Sequence, residues 1–172
     1  MRIYNIHERR FDAPHEQVGA LLDSLSGPDD KLWPSDKWPR MELDKPLGKG
    51  ARGGHGPVRY TTVEYTPSQR AVFHLEDAGL TTGFDGRHFF EVVPRHTQTL
   101  LRHVLDARCN ARAWLRWFFF VRPVHDALLE DALDHAELAL TGRLDAPARW
   151  SLWVRFVRFI ISRTAKAGRV EK

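Results

Sequence analysis

Histidine and arginine side chains on strand-like runs are the residues whose types and positions suit chemistry. The chain has nine histidines, and His7 and His103 each alternate with apolar neighbours in such a run. A histidine that points inward can hold a ligand oxygen or move a proton near neutral pH. We therefore predict His7 and His103 as candidate catalytic residues. The alternative interpretation is a surface histidine, or a buried one that a structural hydrogen bond holds in place.

Other positions on these runs offer groups that would bind a ligand. An inward Arg9 or Arg102 would bind a carboxylate or an enolate, whereas an outward one would lie on the solvated face of a sheet. His88 lies on a middle run and is a further candidate. Large aromatic side chains would line an apolar pocket, although each of them would also suit simple core packing. The aromatic residues predicted for the pocket are Phe90, Trp114, Trp117 and Phe118.

The sequence lacks the patterns of metal, nucleotide and nucleophile chemistry. HExxH spacing does not occur, and the single cysteine, Cys109, has no sulfur partner, so we predict no metal site. His125 and Asp126 are adjacent, which would point them in different directions on a helix. The glycine-rich segment 48–57 lacks the ending of a phosphate loop, and there is no Gly-x-Ser-x-Gly elbow. We predict no cofactor.

The composition is that of one globular domain. A length of 172 residues, with 42% hydrophobic and 28% charged residues, suits a single core. One cysteine excludes an internal disulfide, and charges occupy the N-terminus where an export signal needs an apolar run. The predicted location is therefore cytoplasmic.

The secondary-structure pattern predicts an α+β fold. Hydrophobic alternation indicates a first strand, and helical spacing then indicates a helix that ends near residue 24. Short turns join the later strands, so the sheet is expected to be antiparallel. A long helix with apolar steps of three and four follows, and Pro123 interrupts it. The acids opposite its apolar stripe are predicted to form a solvated face; they are Asp126, Glu130, Asp131 and Glu137. The predicted elements are strands over 3–11, 58–66, 70–76, 87–93 and 99–106, an irregular segment over 29–57 and the long helix over 113–140.

Three stretches of sequence resemble the START-like (SRPBCC) superfamily, which includes the polyketide cyclase/dehydrase and lipid-transport-like proteins. They are the opening HERRFDAPHEQVGALL, the strand RHVLDAR and the helix RPVHDALLEDALDHAE. The resemblance implies a helix-grip fold over residues 1–142, in which a curved antiparallel sheet wraps a long C-terminal helix around a cavity. It implies binding of a hydrophobic or aromatic small molecule, or alternatively a cyclase/dehydratase reaction that uses pocket histidines and arginines.

The segment 143–172 is a basic tail outside this resemblance. Residues 141–172 hold eight Lys/Arg and two acids, whereas the other residues hold 18 and 20, so nucleic acid is not a predicted partner. A helix over 149–163 would be too short to span a membrane. It would lie on the inner surface of a membrane, or dock on its own domain or on a second subunit. The residues predicted for membrane or assembly contacts are Trp150, Trp153, Arg155, Phe156 and Arg158.

Overall fold

One antiparallel sheet with helices on one face forms the framework. The structure is a computed structural model that describes residues 1–160. The strands are β1 (Arg2–Phe11), β2 (Met41–Leu43), β3 (Arg52–His55), β4 (Val58–Thr66), β5 (Arg70–Leu75), β6 (Phe84–Arg95) and β7 (Gln98–Cys109). Their order across the sheet is β1-β7-β6-β5-β4-β3-β2, and every neighbouring pair is antiparallel. The predicted α+β class and antiparallel sheet are confirmed.

The helices follow local signals in the sequence. They are α1 (His15–Asp23), α2 (Ala111–Arg116), a π-helical turn (Trp117–Val121) and α3 (Arg122–Thr141). The Asn110 side chain accepts a hydrogen bond of 2.9 Å from the Ala113 backbone and so caps α2. Gly142, with a φ of 72°, ends α3. Pro123 lies in the first turn of α3, directly after the π-helical turn, and the chain stays helical from Ala111 to Thr141. The predicted interruption is therefore corrected to one continuous helical segment that changes from π-helical to α-helical geometry just before Pro123.

Two strands lie in the segment that was predicted to be irregular. β2 and β3 pair through Glu42 and Gly54, and β3 continues the sheet beside β4. A Cβ atom on Gly53 would lie 1.9 Å from the Glu42 carbonyl oxygen, and one on Gly54 would lie 1.9 Å from the Val58 carbonyl oxygen. The glycines therefore permit a close backbone approach that hides the strand pattern from a propensity argument.

The core lies between the inner face of the sheet and the helices. α1 buries Val18 and Leu22, and α3 buries Leu129 and Leu133 against side chains of the central strands. A second apolar cluster packs around Trp117 at the other end of the sheet. This arrangement puts α1 against β6 and β7, and α3 beside β1 and α1.

The tail forms a further helix, α4, over 152–160. Val154 and Val157 are only 4% and 8% exposed, so one side of α4 packs on the domain of its own chain. Within residues 1–160, no helix is long and apolar enough to cross a membrane. The end of the predicted tail helix, together with the rest of 161–172, lies outside the described residues.

Candidate functional site

A small cavity lies between the sheet and the long helical segment. Its volume is about 60 Å³, and most of the side chains around it are apolar, such as Trp33, Leu105 and Trp117. A void of this size has room for a few water molecules, whereas benzene fills one of about 150 Å³. An aromatic ligand would therefore need a lining side chain to move. The lining also includes His55 from β3, His88 from β6, His103 from β7 and His125 from α3.

The cavity histidines are only partly hydrogen-bonded. His88 Nδ1 lies 3.2 Å from His103 Nε2, and His55 Nδ1 lies 3.3 Å from the Tyr60 hydroxyl. No group among residues 1–160 hydrogen-bonds His88 Nε2, His103 Nδ1 or His125 Nδ1, although all three atoms are buried. Because buried polar atoms are normally paired, these nitrogens are available to a molecule that enters the cavity.

Burial keeps the cavity histidines neutral. Loss of solvation lowers the pKa of His55 to about 3 and moves the pKa values of His88 and His103 well below the usual value. Repulsion among the histidines adds to this effect. A neutral imidazole offers one N–H donor and one acceptor nitrogen. The cavity can thus pair with a ligand hydroxyl or carbonyl, but its histidines are not in the imidazolium form near pH 7 and so are poorly suited to act as general acids.

Charged and polar side chains fill the interface between β1 and α3, and we call this group of residues the polar seam. Asp131 was predicted to lie on a solvated face of the long helix, and this prediction is wrong, since Asp131 is 0% exposed; Asp134, for which no position was predicted, is 2% exposed. They are buried because inward residues of β1 and the indoles of Trp38 and Trp150 cover that side of the helix. The polar seam consists of Asn5, His7 and Arg9 from β1 and Asp126, Glu130, Asp134 and Glu137 from α3.

His7 is the histidine of the polar seam and does not line the cavity. Its Nδ1 lies 2.7 Å from Glu130 Oε1, and its Nε2 lies 3.0 Å from Asp126 Oδ1. Burial would lower the pKa of His7, but the hydrogen bonds to Asp126 and Glu130 outweigh it, so the pKa is raised. The neighbouring His125 and His7 lower the pKa of Asp126 against the opposing effect of its burial. His7 is therefore held as a charged bridge between two carboxylates.

His125 and Asp126 were expected to diverge, but both approach His7. Asp126 Oδ1 lies 3.0 Å from His7 Nε2 and 3.9 Å from His125 Nδ1. The three residues each bring one potential metal-ligating atom within 4.8 Å of the others. Sequence spacing could not reveal this group, because His7 comes from a strand far from α3 along the chain.

The predicted pocket residues divide into lining and non-lining groups. His88, His103 and Trp117 line the cavity. Phe90 does not, because it is buried in the main core with its ring 4.7 Å from that of His103. Phe118 was also placed in the pocket wrongly, since it is 48% exposed on the outer side of the π-helical turn. Trp114 is half-buried and stacks on Phe118 at 5.6 Å, outside the cavity.

Neither predicted arginine reaches the cavity. Arg9 points inward, but it pairs with Asp134 at 2.8 Å and Glu137 at 2.7 Å in the polar seam. Arg102 lies on the opposite face of the sheet and pairs with Glu91. Both guanidinium groups are thus occupied by carboxylates of the protein, and binding of a ligand carboxylate by either arginine is not supported.

Sequence reasoning missed two cavity histidines as ligand-binding candidates. His55 is the last residue of the glycine-rich strand β3, which has no sequence pattern that predicts a strand. Its ring lies 4.7 Å from that of Trp33. His125 had been considered only as a metal ligand with its neighbour. The apolar stripe that includes Leu128 and Leu129 could have indicated that His125 faces the cavity. His125 precedes these lining residues by about one helical turn and therefore lies on the same face of α3.

The predicted tail residues are distributed between two environments. Trp150 donates its indole N–H to Asp131 at 2.8 Å, and the Arg158 guanidinium lies 4.1 Å from the Trp150 ring centre and 4.3 Å from that of Trp38. These two residues therefore hold the tail on its own domain. Trp153, Arg155 and Phe156 are exposed.

Comparison with known proteins gives structural matches only. No protein-family model and no curated protein sequence matches the chain. CalU16 from Micromonospora echinospora superposes with a TM-score of 0.57 at 16% identity, over 95% of this chain and 86% of that one. Norcoclaurine synthase from Thalictrum flavum, in complex with dopamine and hydroxybenzaldehyde, gives 0.59 at 13% identity, over 80% and 86%. EF2215 from Enterococcus faecalis, a conserved protein of unknown function, gives 0.57 at 15% identity, over 96% and 86%.

These superpositions match the observed order of one strand, one helix, an antiparallel sheet and a long final helix. The chain has the helix-grip fold of SRPBCC proteins. At such identities the likeness establishes the helix-grip fold and leaves the ligand to be argued from the cavity itself.

Proposed function

We propose that this helix-grip protein binds a small aromatic molecule that carries a hydroxyl or carbonyl group. The observation that carries the proposal is the pair of buried histidines, His88 and His103, each with one unpaired nitrogen at a cavity whose lining is mostly apolar. An unsatisfied buried polar group costs about 1–3 kcal/mol. A ligand that supplies the missing hydrogen bond recovers part of that free energy, and its ring adds about 25 cal/mol for each Å² of apolar surface buried.

The chemical class follows from the shape and charge of the site. Neutral histidines do not attract an anion strongly, and the two candidate arginines are paired elsewhere, so a phenol or an aryl ketone fits better than a carboxylate. The structure of norcoclaurine synthase with dopamine and hydroxybenzaldehyde provides a precedent for small phenols in a helix-grip protein. Trp117 lies on the π-helical turn, a type of irregularity that is frequent at functional sites, and its movement would enlarge the cavity.

Binding is favoured over cyclase or dehydratase catalysis. A general acid or base works best with a pKa near the operating pH. Burial moves the pKa of His103 far below that range. His7 has a raised pKa, but it is bound to Glu130 and Asp126 outside the cavity. If turnover of a poly-β-keto substrate were found, unchanged turnover by a His103→Leu variant would remove His103 from the reaction.

A matched pair of ligands tests the binding proposal. Phenol and toluene have similar shapes, but only phenol offers a hydroxyl group. Tryptophan fluorescence titration of the full chain should give a Kd about tenfold lower for phenol than for toluene, which corresponds to one hydrogen bond of ~1.4 kcal/mol. A His88→Leu, His103→Leu double variant should remove that preference, and a Phe118→Ala control should keep it. Absence of binding by both ligands would refute the proposal.

A second role, contact with an anionic lipid surface, is favoured by a separate feature. Large apolar side chains of α2, the π-helical turn and α4 are exposed on neighbouring elements, and together we call them the aromatic ridge. Within it the Phe120 and Trp153 rings are 5.8 Å apart, and Trp153 donates its indole N–H to the Phe119 carbonyl at 2.8 Å. The ridge residues, which are 41% to 81% exposed, are Leu115, Phe118, Phe119, Phe120, Leu152, Trp153 and Phe156.

The charge around the aromatic ridge suits an anionic membrane. No Asp or Glu occurs over residues 107–125 or 146–170, whereas both stretches contain several arginines. Exposed aromatic residues flanked by basic ones are typical of interfacial helices. Arg112 and Arg155 are exposed on the same helices as the ridge and would contact lipid phosphate.

Vesicle flotation tests the lipid role. The full chain should float with vesicles of phosphatidylcholine and phosphatidylserine and remain unbound with phosphatidylcholine alone. A Phe119→Ser, Phe120→Ser variant should lose flotation, while Tyr4→Ser, which changes a 59% exposed aromatic residue on β1, should retain it. Equal flotation of both variants, or a shift of the wild-type protein to a dimer in the absence of lipid, would contradict this role.

A further inference from the structure

We propose that His7, His125 and Asp126 form a binding site for a divalent first-row transition-metal ion such as Zn²⁺. Ligands of such an ion stand at about 2.0–2.2 Å from it, which places neighbouring tetrahedral ligands roughly 3.4 Å apart. Here His7 Nε2 and His125 Nδ1 lie 3.0 Å and 3.9 Å from Asp126 Oδ1, so the two distances bracket that spacing. Small side-chain rotations would bring all three atoms onto one ion.

The surrounding groups orient the ligands. Glu130 Oε1 lies 2.7 Å from His7 Nδ1 and holds the proton on that nitrogen, so a metal ion would displace the proton from Nε2, which lies 3.0 Å from Asp126 Oδ1, and take its place. A carboxylate behind a ligating histidine is a common feature of metal sites, and it makes the imidazole a stronger donor. The Asn5 amide donates a hydrogen bond of 3.0 Å to Asp126 Oδ1 and so holds the carboxylate in place.

A second observation points to a ligand at this position. His125 Nδ1 is buried and has no hydrogen-bond partner among residues 1–160, although it lies close to the Asp126 carboxylate. A metal ion would use the lone pair of this atom. Two imidazoles and one carboxylate suit zinc or a neighbouring transition metal, whereas magnesium and calcium prefer oxygen ligands alone.

The site would be open at one coordination position. Three protein ligands usually leave room for a water molecule or another small ligand on the metal. His125 also lines the cavity, so the ion would lie at the edge of that space. The metal proposal does not depend on occupation of the cavity by an organic ligand.

Cobalt substitution provides the test, because the visible absorption of Co²⁺ reports its coordination. The full chain, freed of metal with a chelator and dialysed, is titrated with Co²⁺ and then with Zn²⁺ as a competitor. We expect one Co²⁺ for each chain, with bands typical of mixed nitrogen and oxygen ligation, and complete displacement by Zn²⁺. His125→Gln and Asp126→Asn should each weaken binding at least tenfold.

The control is a histidine–carboxylate pair elsewhere on α3. His135 Nε2 lies 2.9 Å from Asp36 Oδ1, and a His135→Gln variant should bind Co²⁺ like the wild type. If circular dichroism shows that His125→Gln is unfolded, Asp126→Asn decides, since that side chain is 34% exposed. Equal binding by Asp126→Asn and the wild type, or greater loss in His135→Gln, would assign the ion to surface histidines and overturn the proposal. Absence of saturable binding to the wild type would do the same.

Discussion

His7 and His103 are directly opposite each other in the pairing of β1 with β7, yet they lie in opposite electrostatic environments. His103 is 3% exposed among apolar side chains, and its pKa is lowered by burial. His7 meets two carboxylates, and its pKa is raised. One face of one sheet therefore carries two regions: a cavity with neutral histidines over the central strands, and a charged seam along the edge strand.

The residues of α3 that face each part of the sheet cause this difference between the environments of His7 and His103. On α3, apolar Leu129 and Leu133 pack over the central strands, while Glu130 and Asp134 turn toward β1. Residues one position apart on a helix point about 100° apart, so a single helix can present both surfaces at once. The environment of a strand histidine is thus decided by the side of α3 that it meets. The following predictions test this division.

Replacement of Arg9, the arginine of the polar seam, should cause the largest loss in the free energy of unfolding. Arg9→Met leaves Asp134, which is 2% exposed, without its ionic partner, and loss of one member of a buried pair costs about 3 kcal/mol or more. Urea unfolding should show this loss. Arg2→Met on the same strand breaks a pair with Asp106 in which Arg2 is 67% exposed, and it should have a far smaller effect on stability because solvent screens the pair. Similar losses in the two variants would mean that the seam is not a buried network.

Acid should destabilise the protein through the cavity histidines. The pKa of His55 is lowered to about 3 in the folded state, so below pH ~6.5 the unfolded chain binds a proton that the folded chain does not. The stability is fully present above that pH and falls as the pH decreases. Between pH 7 and pH 5 this one group should remove about 2 kcal/mol.

The measurement is urea unfolding at both pH values in the presence of a chelator. A His55→Gln variant should lose about 2 kcal/mol less than the wild type over this interval, since the titrating group is absent. An identical decrease in the two proteins would show that His55 titrates normally in the folded state.

Apolar replacement of the cavity pair should have the smallest effect on stability. His88→Leu with His103→Leu removes both partners of one hydrogen bond together with two unpaired nitrogens. Such paired replacement is close to neutral, so we expect a change below about 1 kcal/mol in the same unfolding assay. A large loss would show that the histidines stabilise the fold, and it would remove the argument that they are kept for a ligand.

Much of the framework is readable from the sequence, because it rests on periodicity and turn chemistry. The strand 2–11, the hairpin strands and the long helix all carry such local signals, whereas the π-helical turn that stands in place of a break near Pro123 carries none. β2 and β3 have no such local signal. Gly53 and Gly54 have low strand propensity, and they occur in β3 because the neighbouring backbone leaves no room for a Cβ atom. The order of elements was sufficient to predict the helix-grip fold.

The candidate site was less predictable, because it depends on which face each side chain takes. His88, His103 and Trp117 lie at the cavity, but Arg9 meets acids that had been assigned to solvent, and Phe118 points outward. A shift of one residue in register reverses the direction of every side chain on a strand. The partners of His7 and Arg9 come from α3, more than a hundred residues away, and no local pattern links them.

The central claim is that the cavity histidines are neutral and accessible to a polar aromatic ligand. NMR of the histidine rings tests this claim most directly. The rings of His88 and His103 should stay neutral from pH 8 to pH 5, and their signals should shift when phenol is added, while the signal of His135, which lies outside the cavity, should not respond to phenol. Titration of His88 and His103 near pH 6.5, with no response to phenol, would contradict the account.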